Sequence, residues 1–391
     1  MARFNCLTWG LTRRLRLEFR LGYDAATTAI IKICRAALNI PTSPDAITSE
    51  WLSRALKTGG VITDPVIVKA INVFPEGLSA TGTLARVEFE YSEEGTGPTS
   101  LIVKQPDPVK ANRQTGAAFE REIRFYREIG SDSGVKVPVM YFGGTSGELA
   151  IILLEDLRPV EPGDSVVGCS FEEAEVAVKG LASLHARWWD DELVDADWLW
   201  GKSANTPAED DAKSIDMGWT LLPDEYMEDL PAELIATCNN TGWFTVVAAG
   251  RDKKPQTISH PDYRLDNLFF DHRSDEIELT VIDWGRVAAQ RPGFALAFFL
   301  ADSGLSNEQM SECIDIYWQE LVDKGVKDFS SDDCMFEVRI GFVELLGQRL
   351  WQFSVGANDG AAPRIQAMRK RSWDRLIPII DEFDCLSALT G

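Results

Sequence analysis

Two neighbouring segments decide the interpretation of this chain: SHPDYRLDNLFF at 259–270 and LTVIDWG at 279–285. They combine Asp262 and Asn267 with Asp283, which ends a short run of β-branched residues. Phosphoryl transfer needs these residue types, because a carboxylate must orient the attacking hydroxyl and Mg²⁺ prefers carboxylate and amide oxygens. In this interpretation Asp262 accepts the hydroxyl proton, while Asn267 and Asp283 hold a metal ion against nucleotide phosphates.

A plainer alternative is a polar turn between two strands, in which Asp266 and Asn267 are only turn formers. For Asp262 and Asn267 taken alone, the two interpretations are evenly balanced. The position of Asp283 at the end of the next strand favours the catalytic interpretation.

The composition is that of a globular protein. Of the 391 residues 45% are apolar, which is enough for a full hydrophobic core. The longest uncharged apolar stretch, 294–301, is too short to cross a bilayer, so no membrane span is predicted. The first twenty residues are rich in arginine like a transit peptide but lack a cleavage pattern, which favours a surface helix.

Charge and cysteine content narrow the partners and the compartment. A net charge of −22 repels phosphate backbones and anionic membranes, so nucleic acid is not an expected partner. The seven cysteines are scattered and form no CxxC pair, which indicates idle thiols in a reducing cytoplasm. We therefore expect a cytoplasmic protein, and the acidic surface is compatible with a monomer or a weak homodimer.

The first half of the chain predicts an antiparallel sheet with one helix. Residues 84–91 alternate apolar and polar side chains, and 100–104 form a second apolar run after turn residues, so the two indicate a hairpin. An amphipathic helix is predicted over 117–129. Strands are predicted over 135–142 and 149–154, separated by Gly143, Gly144 and Gly147.

The second half, from a boundary near 155–156, is predicted to be mainly helical. Ser170 with Glu173, and Ser306 with Gln309, form capping boxes before apolar residues at helical spacing. His185 lies on the first of these helices, where a packed histidine is the favoured interpretation. Residues 190–250 are predicted to be rich in loops, and form either a lid over the substrate or an acidic insertion packed on the second lobe.

The pattern HPDYRLDN at 260–267, followed by VIDW at 281–284, resembles the aminoglycoside phosphotransferase and choline-kinase-like superfamily. It looks closest to the ecdysteroid-kinase-like and bacterial hydroxyacyl-CoA-kinase-like members, and runs from about residue 41 to the C-terminal helices. The resemblance implies a two-lobed protein-kinase-like fold that uses ATP and Mg²⁺ to phosphorylate a hydroxyl. It makes Asp262 the catalytic base, Asn267 and Asp283 the metal ligands beside the nucleotide, and His260 a structural residue of the loop.

The resemblance also assigns nucleotide-binding residues to the first half. Lys104 matches the lysine that contacts the ATP phosphates, and Glu122 in FEREIRFY matches the helix glutamate that pairs with it, although each alone is typical of a solvated surface residue. The loop that ends at Gly82 (77–82) would cover the phosphates with N–H groups, but it lacks a GxGxxG pattern and is also compatible with a β-turn. Glu155 and Asp156 match the family's hinge, the segment between the two lobes, whose backbone groups would bind the adenine.

Two positions depart from the family's pattern. Pro261 stands where relatives usually have glycine, and it fixes φ and removes an N–H from the loop. Ala295 stands where relatives place an aspartate that hydrogen-bonds back to the catalytic loop, so a looser loop is expected. Arg264 has two roles open to it: contact with phosphate or substrate, or pairing with Asp262 or Asp266.

The sequence therefore predicts an α+β protein with the protein-kinase-like two-lobed fold. An N-terminal helical extension covers 1–44, an N-lobe with an antiparallel sheet plus helix covers 45–155, and a mainly helical C-lobe covers 156–391. ATP and Mg²⁺ are expected in the cleft between the lobes, with a small hydroxyl-bearing molecule as the acceptor. Two alternatives are a hydroxyacyl-CoA kinase, which would need a basic patch along the cleft, and a pseudokinase that binds nucleotide or a partner without turnover.

Overall fold

The computed structural model describes residues 38–74, 82–92, 97–107, 113–201, 208–228, 230–240, 242–250, 253–356 and 363–389. The chain divides into two compact units. The first comprises Met1–Gly130 and Pro138–Asp156, and the second comprises Ser131–Val137 and Leu157–Gly391.

The first unit is an antiparallel sheet with helices. The strand order is β1-β2-β3-β5-β4, and every neighbouring pair is antiparallel. Its strands and helices within the described residues are β1 Val66–Val73, β2 Gly82–Tyr91, β3 Ser100–Pro106, β4 Met140–Ser146, β5 Leu149–Glu155, α1 Ser49–Thr58 and α2 Arg113–Glu128.

Both faces of this sheet are covered, and the strand sequences show why. The alternation in β2 places Ala85, Val87 and Phe89 in one core, which confirms the predicted half-buried strand and its hairpin with β3. Strand β5 has an unbroken apolar run because it is buried on both faces. Ile151 packs on the side of α1, and Ile152 packs on the side of α2.

The start of the described chain packs into the same core. Leu38 and Ile40 are buried there, and Nε2 of Gln105 donates a hydrogen bond to the carbonyl of Pro41 (2.7 Å). Residues 38–43 are not helical, and a 3-10 turn follows at Pro44–Ala46. The remainder of the predicted N-terminal extension, 1–37, lies outside the described residues.

The limits predicted for the strand over 135–142 were wrong. In the structure this strand is the fourth of the sheet. Strand β4 begins at Met140, after Pro138, and continues through Gly143 and Gly144 to Ser146. A side chain at Gly143 would press on Ile123 of α2 at 3.0 Å, so the glycines here allow close packing rather than a turn. The turn itself falls at Gly147, where φ is +61°.

The second unit is mainly helical and contains two short antiparallel ladders, β6 with β9 and β7 with β8. Its elements within the described residues are α3 Phe171–Arg187, α4 Ala208–Thr220, α5 Asp224–Met227, α6 Ala232–Cys238, α7 Trp243–Gly250, β6 Thr257–Ser259, β7 Leu268–Asp271, β8 Glu278–Val281, β9 Ala288–Gln290, α8 Gly293–Ser303, α9 Asn307–Asp323, α10 Ser331–Ser354 and α11 Pro363–Glu382.

Helix α8 is the centre of this unit, and all of its residues are buried. It crosses α10 closely at two glycines, because a side chain at Gly341 would meet the carbonyl oxygen of Gly293 at 2.5 Å. The two predicted capping boxes are present at the starts of α3 and α9. A third, formed by Ser330 and Asp333, starts α10.

Residues 190–250 are richer in helix than predicted. They contain α4 to α7, whose 4 to 13 residues are too few to show a clear helical period in sequence. Helix α4 packs against α10 so closely that a side chain at Gly218 would lie 1.8 Å from the carbonyl oxygen of Leu350. This contact supports a packed insertion rather than a lid. Within the described residues, no helix has the length and apolar character that a membrane crossing requires.

Candidate active site

The candidate active site of the second unit is built on its two ladders. Strand β6 leads into the loop at 260–264, a 3-10 turn follows at Leu265–Asn267, and the chain continues directly into β7. The pairing of Leu268 with Val281 aligns the start of β7 with the end of β8. The N–H of Ile282 then donates to the carbonyl of Asn267 (3.0 Å), which brings the chain at Asp283 beside this loop.

His260 joins the loop to the end of β8. Its Nε2–H donates to the carbonyl of Ile282 (2.9 Å), and its Nδ1 accepts from the N–H of Asp262 (3.2 Å), so one tautomer satisfies both bonds. The imidazole is buried, and burial lowers its pKa even though the nearby carboxylates of Asp262 and Asp283 act in the opposite direction. His260 is therefore a neutral residue that fixes the loop, as the resemblance implied.

Asn267 and Asp283 present the two ligand types expected for magnesium. Nδ2 of Asn267 donates to the carbonyl of Asp262 (2.8 Å), which leaves the amide oxygen as the atom suited to bind a cation. Asp283 adopts the left-handed conformation, with φ +64° and ψ +61°. Aspartate adopts this conformation more readily than most residues other than glycine, and Asp190, Asp328 and Asp384 also have positive φ.

Asp262 is partly accessible and is paired with Arg264. Nε of Arg264 lies 3.1 Å from Oδ1 of Asp262, and a quarter of the aspartate side chain is exposed. Nη1 of Arg264 lies 3.3 Å from Asp266 and 2.7 Å from the sulfur of Met368. Of the two roles predicted for Arg264, the structure shows the pairing with both aspartates.

The loop has supports that sequence reasoning did not find. Tyr263 is fully buried, its hydroxyl donates to the carbonyl of Ala177 in α3 (2.8 Å), and its ring packs against Phe299. Ala295 is buried in α8 and offers no side-chain hydrogen bond. Tyr263 thus ties the loop to α3 and α8. A lone aromatic residue inside a loop has no periodicity that would have revealed this role.

His185 supports the strand that precedes the loop. It is fully buried, and its two ring nitrogens lie 2.6 Å from the hydroxyl of Tyr317 and 3.1 Å from the hydroxyl of Ser259. Burial lowers its pKa from 6.5 to about 3, so the imidazole is neutral. The prediction of a packed helix histidine is confirmed, and this packing holds β6 against α3 and α9.

The first unit contains the ion pair that the resemblance implied. Nζ of Lys104 lies 2.7 Å from Oε2 of Glu122, and both side chains are more than nine-tenths buried. The ring of Phe119 lies 5.8 Å from the same ammonium group. A helix glutamate therefore fixes the position of the strand lysine.

Gly82 and Glu155 also lie in the first unit. Their contacts there explain why residue 82 is a glycine and which group the backbone of Glu155 binds. A side chain at Gly82 would lie 2.5 Å from the carbonyl oxygen of Gln105, so strand pairing requires a glycine there. The rest of its loop, 77–81, lies outside the described residues. The N–H of Glu155 donates to the carbonyl of Val139 (2.9 Å), so this donor already has a partner within the first unit. The adjoining Asp156 accepts from Nε of Arg86 (3.0 Å), a pairing that the sequence did not reveal.

A second polar network in the second unit was also missed. Asp302 is fully buried near the end of the apolar helix α8, and burial raises its pKa while Arg349 and Ser372 act against the rise. Ser372 donates to Asp302 (2.8 Å) and accepts from Nη2 of Arg349 (2.8 Å). The signal was available in GFALAFFLADS, where one charged residue ends an apolar run. Across the described residues, no group of three or more His, Cys, Asp or Glu side chains is arranged to hold a metal ion.

Comparisons with known proteins show which family and which solved structures this chain resembles. A family model described as the phosphotransferase enzyme family matches residues 84–321, more than half of the chain. An ethanolamine kinase from Plasmodium vivax is 13% identical, with a TM-score of 0.51 over 80% of this chain and 84% of that chain. A point mutant of aminoglycoside 2′-phosphotransferase-IIIa, solved with GDP, is 12% identical, with a TM-score of 0.50 over 78% and 91%. Among curated proteins, no significant match is found.

The antiparallel sheet unit and the helical unit with its HxDxxxxN loop constitute the protein-kinase-like fold, and the fold and the family match together define a small-molecule kinase. The chain belongs to the phosphotransferase enzyme family. This confirms the resemblance to the aminoglycoside phosphotransferase and choline-kinase-like superfamily.

Proposed function

We propose that the chain moves the γ-phosphate of ATP to a hydroxyl group of a small molecule. The observation that carries this proposal is a pair of hydrogen bonds, from Nδ2 of Asn267 to the carbonyl of Asp262 and from the N–H of Ile282 to the carbonyl of Asn267. They tie the proposed base to both proposed metal ligands, because Asp283 directly follows Ile282. Catalysis by positioning depends on such fixed spacing.

Asp262 is the proposed base. As the acceptor oxygen bonds to the γ-phosphorus, the bond between that phosphorus and the bridging oxygen of ADP breaks, and the hydroxyl proton passes to the carboxylate of Asp262. The exposed quarter of its side chain leaves Asp262 accessible to a substrate. Arg264 holds the carboxylate in place from one side.

Asn267 and Asp283 are the proposed ligands of Mg²⁺, and their chemistry fits that ion. They offer one amide oxygen and one carboxylate, and a magnesium site commonly uses one or two protein ligands with phosphates and water completing the shell. When bound, the ion neutralises charge on the nucleotide phosphates. The residues themselves set where those phosphates lie relative to Asp262.

Lys104 is proposed to contact the nucleotide phosphates, held in position by Glu122. The buried ion pair supports this role, because fixing a flexible lysine lowers the entropy lost when a phosphate binds. The backbone near Gly82 and Glu155 is proposed to bind the remainder of the nucleotide. A nucleotide is also bound in a structural neighbour of this chain: the mutant of aminoglycoside 2′-phosphotransferase-IIIa was solved with GDP.

The described cysteines support the proposed cytoplasmic location. Cys169, Cys238, Cys313, Cys334 and Cys385 are free thiols. Burial raises the pKa of Cys169 to about 12, so this thiol is protonated at neutral pH.

The test combines nucleotide binding with turnover. Calorimetric titration of ATP and Mg²⁺ into the wild type should show binding that Asp283→Asn loses. Asp262→Asn should keep binding but lose about 10²–10⁴-fold in kcat, the usual contribution of a general base. Asp275→Asn, at an exposed position in the same unit, is the matched control and should behave as the wild type. A wild type that binds no ATP would overturn the proposal.

A second candidate, nucleotide binding without turnover, rests on Ala295. Its buried methyl group cannot hydrogen-bond to the loop as the aspartate of relatives does. Metal-dependent ATP binding with no consumption of ATP over a broad acceptor panel would favour this candidate. Turnover on any acceptor would exclude it.

A further inference from the structure

The carboxylate of Asp266 is held by donors from outside its own loop. It stands in the catalytic loop, one residue before the proposed metal ligand Asn267. Its Oδ1 accepts a hydrogen bond from Nη2 of Arg364 in α11 (2.9 Å), and its Oδ2 accepts from the hydroxyl of Ser165. An aspartate that only forms a turn would bond to its own backbone. These two partners lie 98 and 101 positions away, so the side chain of Asp266 joins distant segments to the loop.

Arg264 connects Asp266 to the proposed base. Its Nε lies 3.1 Å from Oδ1 of Asp262, and its Nη1 donates to Oδ2 of Asp266 (3.3 Å). A guanidinium is a rigid planar group, so a contact at one edge restricts its orientation at the other. The position of Asp266 therefore limits where Arg264, and with it the carboxylate of Asp262, can lie.

Arg364 is itself fixed by a turn at 164–168. Its Nη1 donates to Oδ2 of Asp164, the first residue of this turn (3.0 Å). A second arginine of α11, Arg375, donates through Nη1 to the carbonyl of Ser165 (2.7 Å). Helix α11 thereby fixes both of the side chains that reach the loop from outside.

The exposure of these groups separates positioning from stability. The side chain of Arg364 is 48% exposed and that of Asp266 is 20% exposed. An ion pair with a half-exposed partner contributes little to the free energy of unfolding. Loss of this pair should therefore be visible in the reaction more than in folding.

We propose that Asp266 and Arg364 are positioning residues of the phosphotransfer, which act through Arg264 on the carboxylate of Asp262. They hold that carboxylate in the orientation in which it receives the proton of the acceptor hydroxyl. Catalysis by positioning tolerates little displacement, so a less constrained Asp262 slows the chemical step. This inference rests on the proposed function.

Steady-state kinetics test the inference. ADP release is measured with saturating ATP and Mg²⁺ and with the member of a panel of choline, ethanolamine, kanamycin and glycerol that is turned over fastest, or with water where none is used. Asp266→Asn keeps the size of the side chain but loses its charge and one acceptor oxygen, so kcat should fall about 10- to 100-fold. Arg364→Gln should lower kcat about 3- to 10-fold, and Arg364→Lys should recover part of that loss because it keeps a charged donor.

The Michaelis constant for ATP distinguishes this role from damage to the nucleotide site. Asn267 has its own hydrogen bond to the carbonyl of Asp262, and the Asp266 and Arg364 variants leave that bond in place. KM for ATP should therefore stay within about twofold of the wild-type value while kcat falls.

Coupling between the two residues is the second readout. The double variant of Asp266→Asn with Arg364→Gln should be no slower than Asp266→Asn alone, because both residues act through one contact. Arg371→Gln, which removes an exposed arginine of the same helix, is the matched control and should keep the wild-type kcat. The denaturant midpoint of Arg364→Gln should equal that of the wild type.

The inference is wrong if either single variant, Asp266→Asn or Arg364→Gln, keeps the wild-type kcat, if their effects multiply in the double variant, or if KM for ATP rises as much as kcat falls. Each of these results leaves the proposed phosphotransfer intact, provided that the wild type releases ADP and Asp262→Asn loses this activity. A wild type that releases no ADP with any acceptor or with water would instead remove the proposed function.

Discussion

At the scale of single residues, buried ionisable side chains hold neighbouring parts of the fold together. His185 holds the strand before the catalytic loop, His260 holds the loop itself, and Lys104 with Glu122 forms a buried pair in the first unit. Each contact replaces hydration with a specific partner, so removal of one partner is costly.

His185 predicts a loss of stability in acid. Burial lowers its folded-state pKa to about 3 from 6.5, so between these values the unfolded chain binds the proton and the folded protein does not. The free energy of unfolding should therefore fall as the pH falls through this window, by about 1.4 kcal/mol per pH unit for this group. Denaturant titrations between pH 7 and pH 5 should show a shallower fall in the free energy of unfolding for His185→Gln than for the wild type.

The substitution control is His272→Gln, which replaces an exposed histidine and should leave stability at pH 7 unchanged. Equal slopes for wild type and His185→Gln would contradict the prediction.

The Lys104 pair predicts a different energetic pattern from surface pairs. Lys104→Met leaves the charge of Glu122 buried with less compensation and should lower the free energy of unfolding by about 3–5 kcal/mol, while adding Glu122→Leu should recover much of the loss. Lys136 and Glu278 form a matched pair at 2.7 Å with more than half of each side chain exposed. Lys136→Met should cost less than about 1 kcal/mol. Similar losses at both sites would show that burial is not the cause.

At the scale of elements, glycines mark where helices approach one another. Gly218 in α4 faces the backbone of Leu350 in α10, and Gly293 faces Gly341 where α8 crosses α10. In contrast, Gly116 in α2 has open space where a side chain would stand. The same residue type therefore has opposite effects in different helices.

These contrasting sites give a paired prediction. Gly218→Ala would place a methyl group 1.8 Å from a carbonyl oxygen, so α4 must move away from α10 at a cost of about 1–3 kcal/mol. Gly116→Ala should stabilise the protein by about 1 kcal/mol, because alanine favours the helix and meets nothing. Thermal and denaturant unfolding would measure both. Stabilisation by Gly218→Ala would show that the helices do not pack as described.

Several elements were predictable because their signals are local. The capping boxes at Ser170 and Ser306 and the alternation in β2 depend on residues within one turn or one strand. The start of β4 and the four helices α4 to α7, within 208–250, were not predicted. Their limits depend on packing against α2 and α10, which a short sequence window does not contain.

At the scale of the whole molecule, the net charge of −22 predicts a dependence on salt. Like charges repel across an acidic surface, and raising NaCl from 10 to 100 mM shortens the screening length from about 30 to about 10 Å. The midpoint of thermal unfolding at pH 7 should therefore rise with salt. Near pH 4.6, the isoelectric point, the rise should be much smaller. A lower midpoint at pH 7 would mean that screened ion pairs outweigh the repulsion.

The sequence by itself determined the class of fold and the core of the candidate site. Asp262 and Asn267 lie within one loop, and Asp283 follows one ladder later, so their relation depends on local chain geometry that the spacing already encodes. The tertiary structure alone decided what supports them. Tyr263 reaches Ala177 86 positions away, and Arg264 reaches Met368 104 positions away. No local pattern specifies such contacts, because they arise only when distant helices pack around one loop.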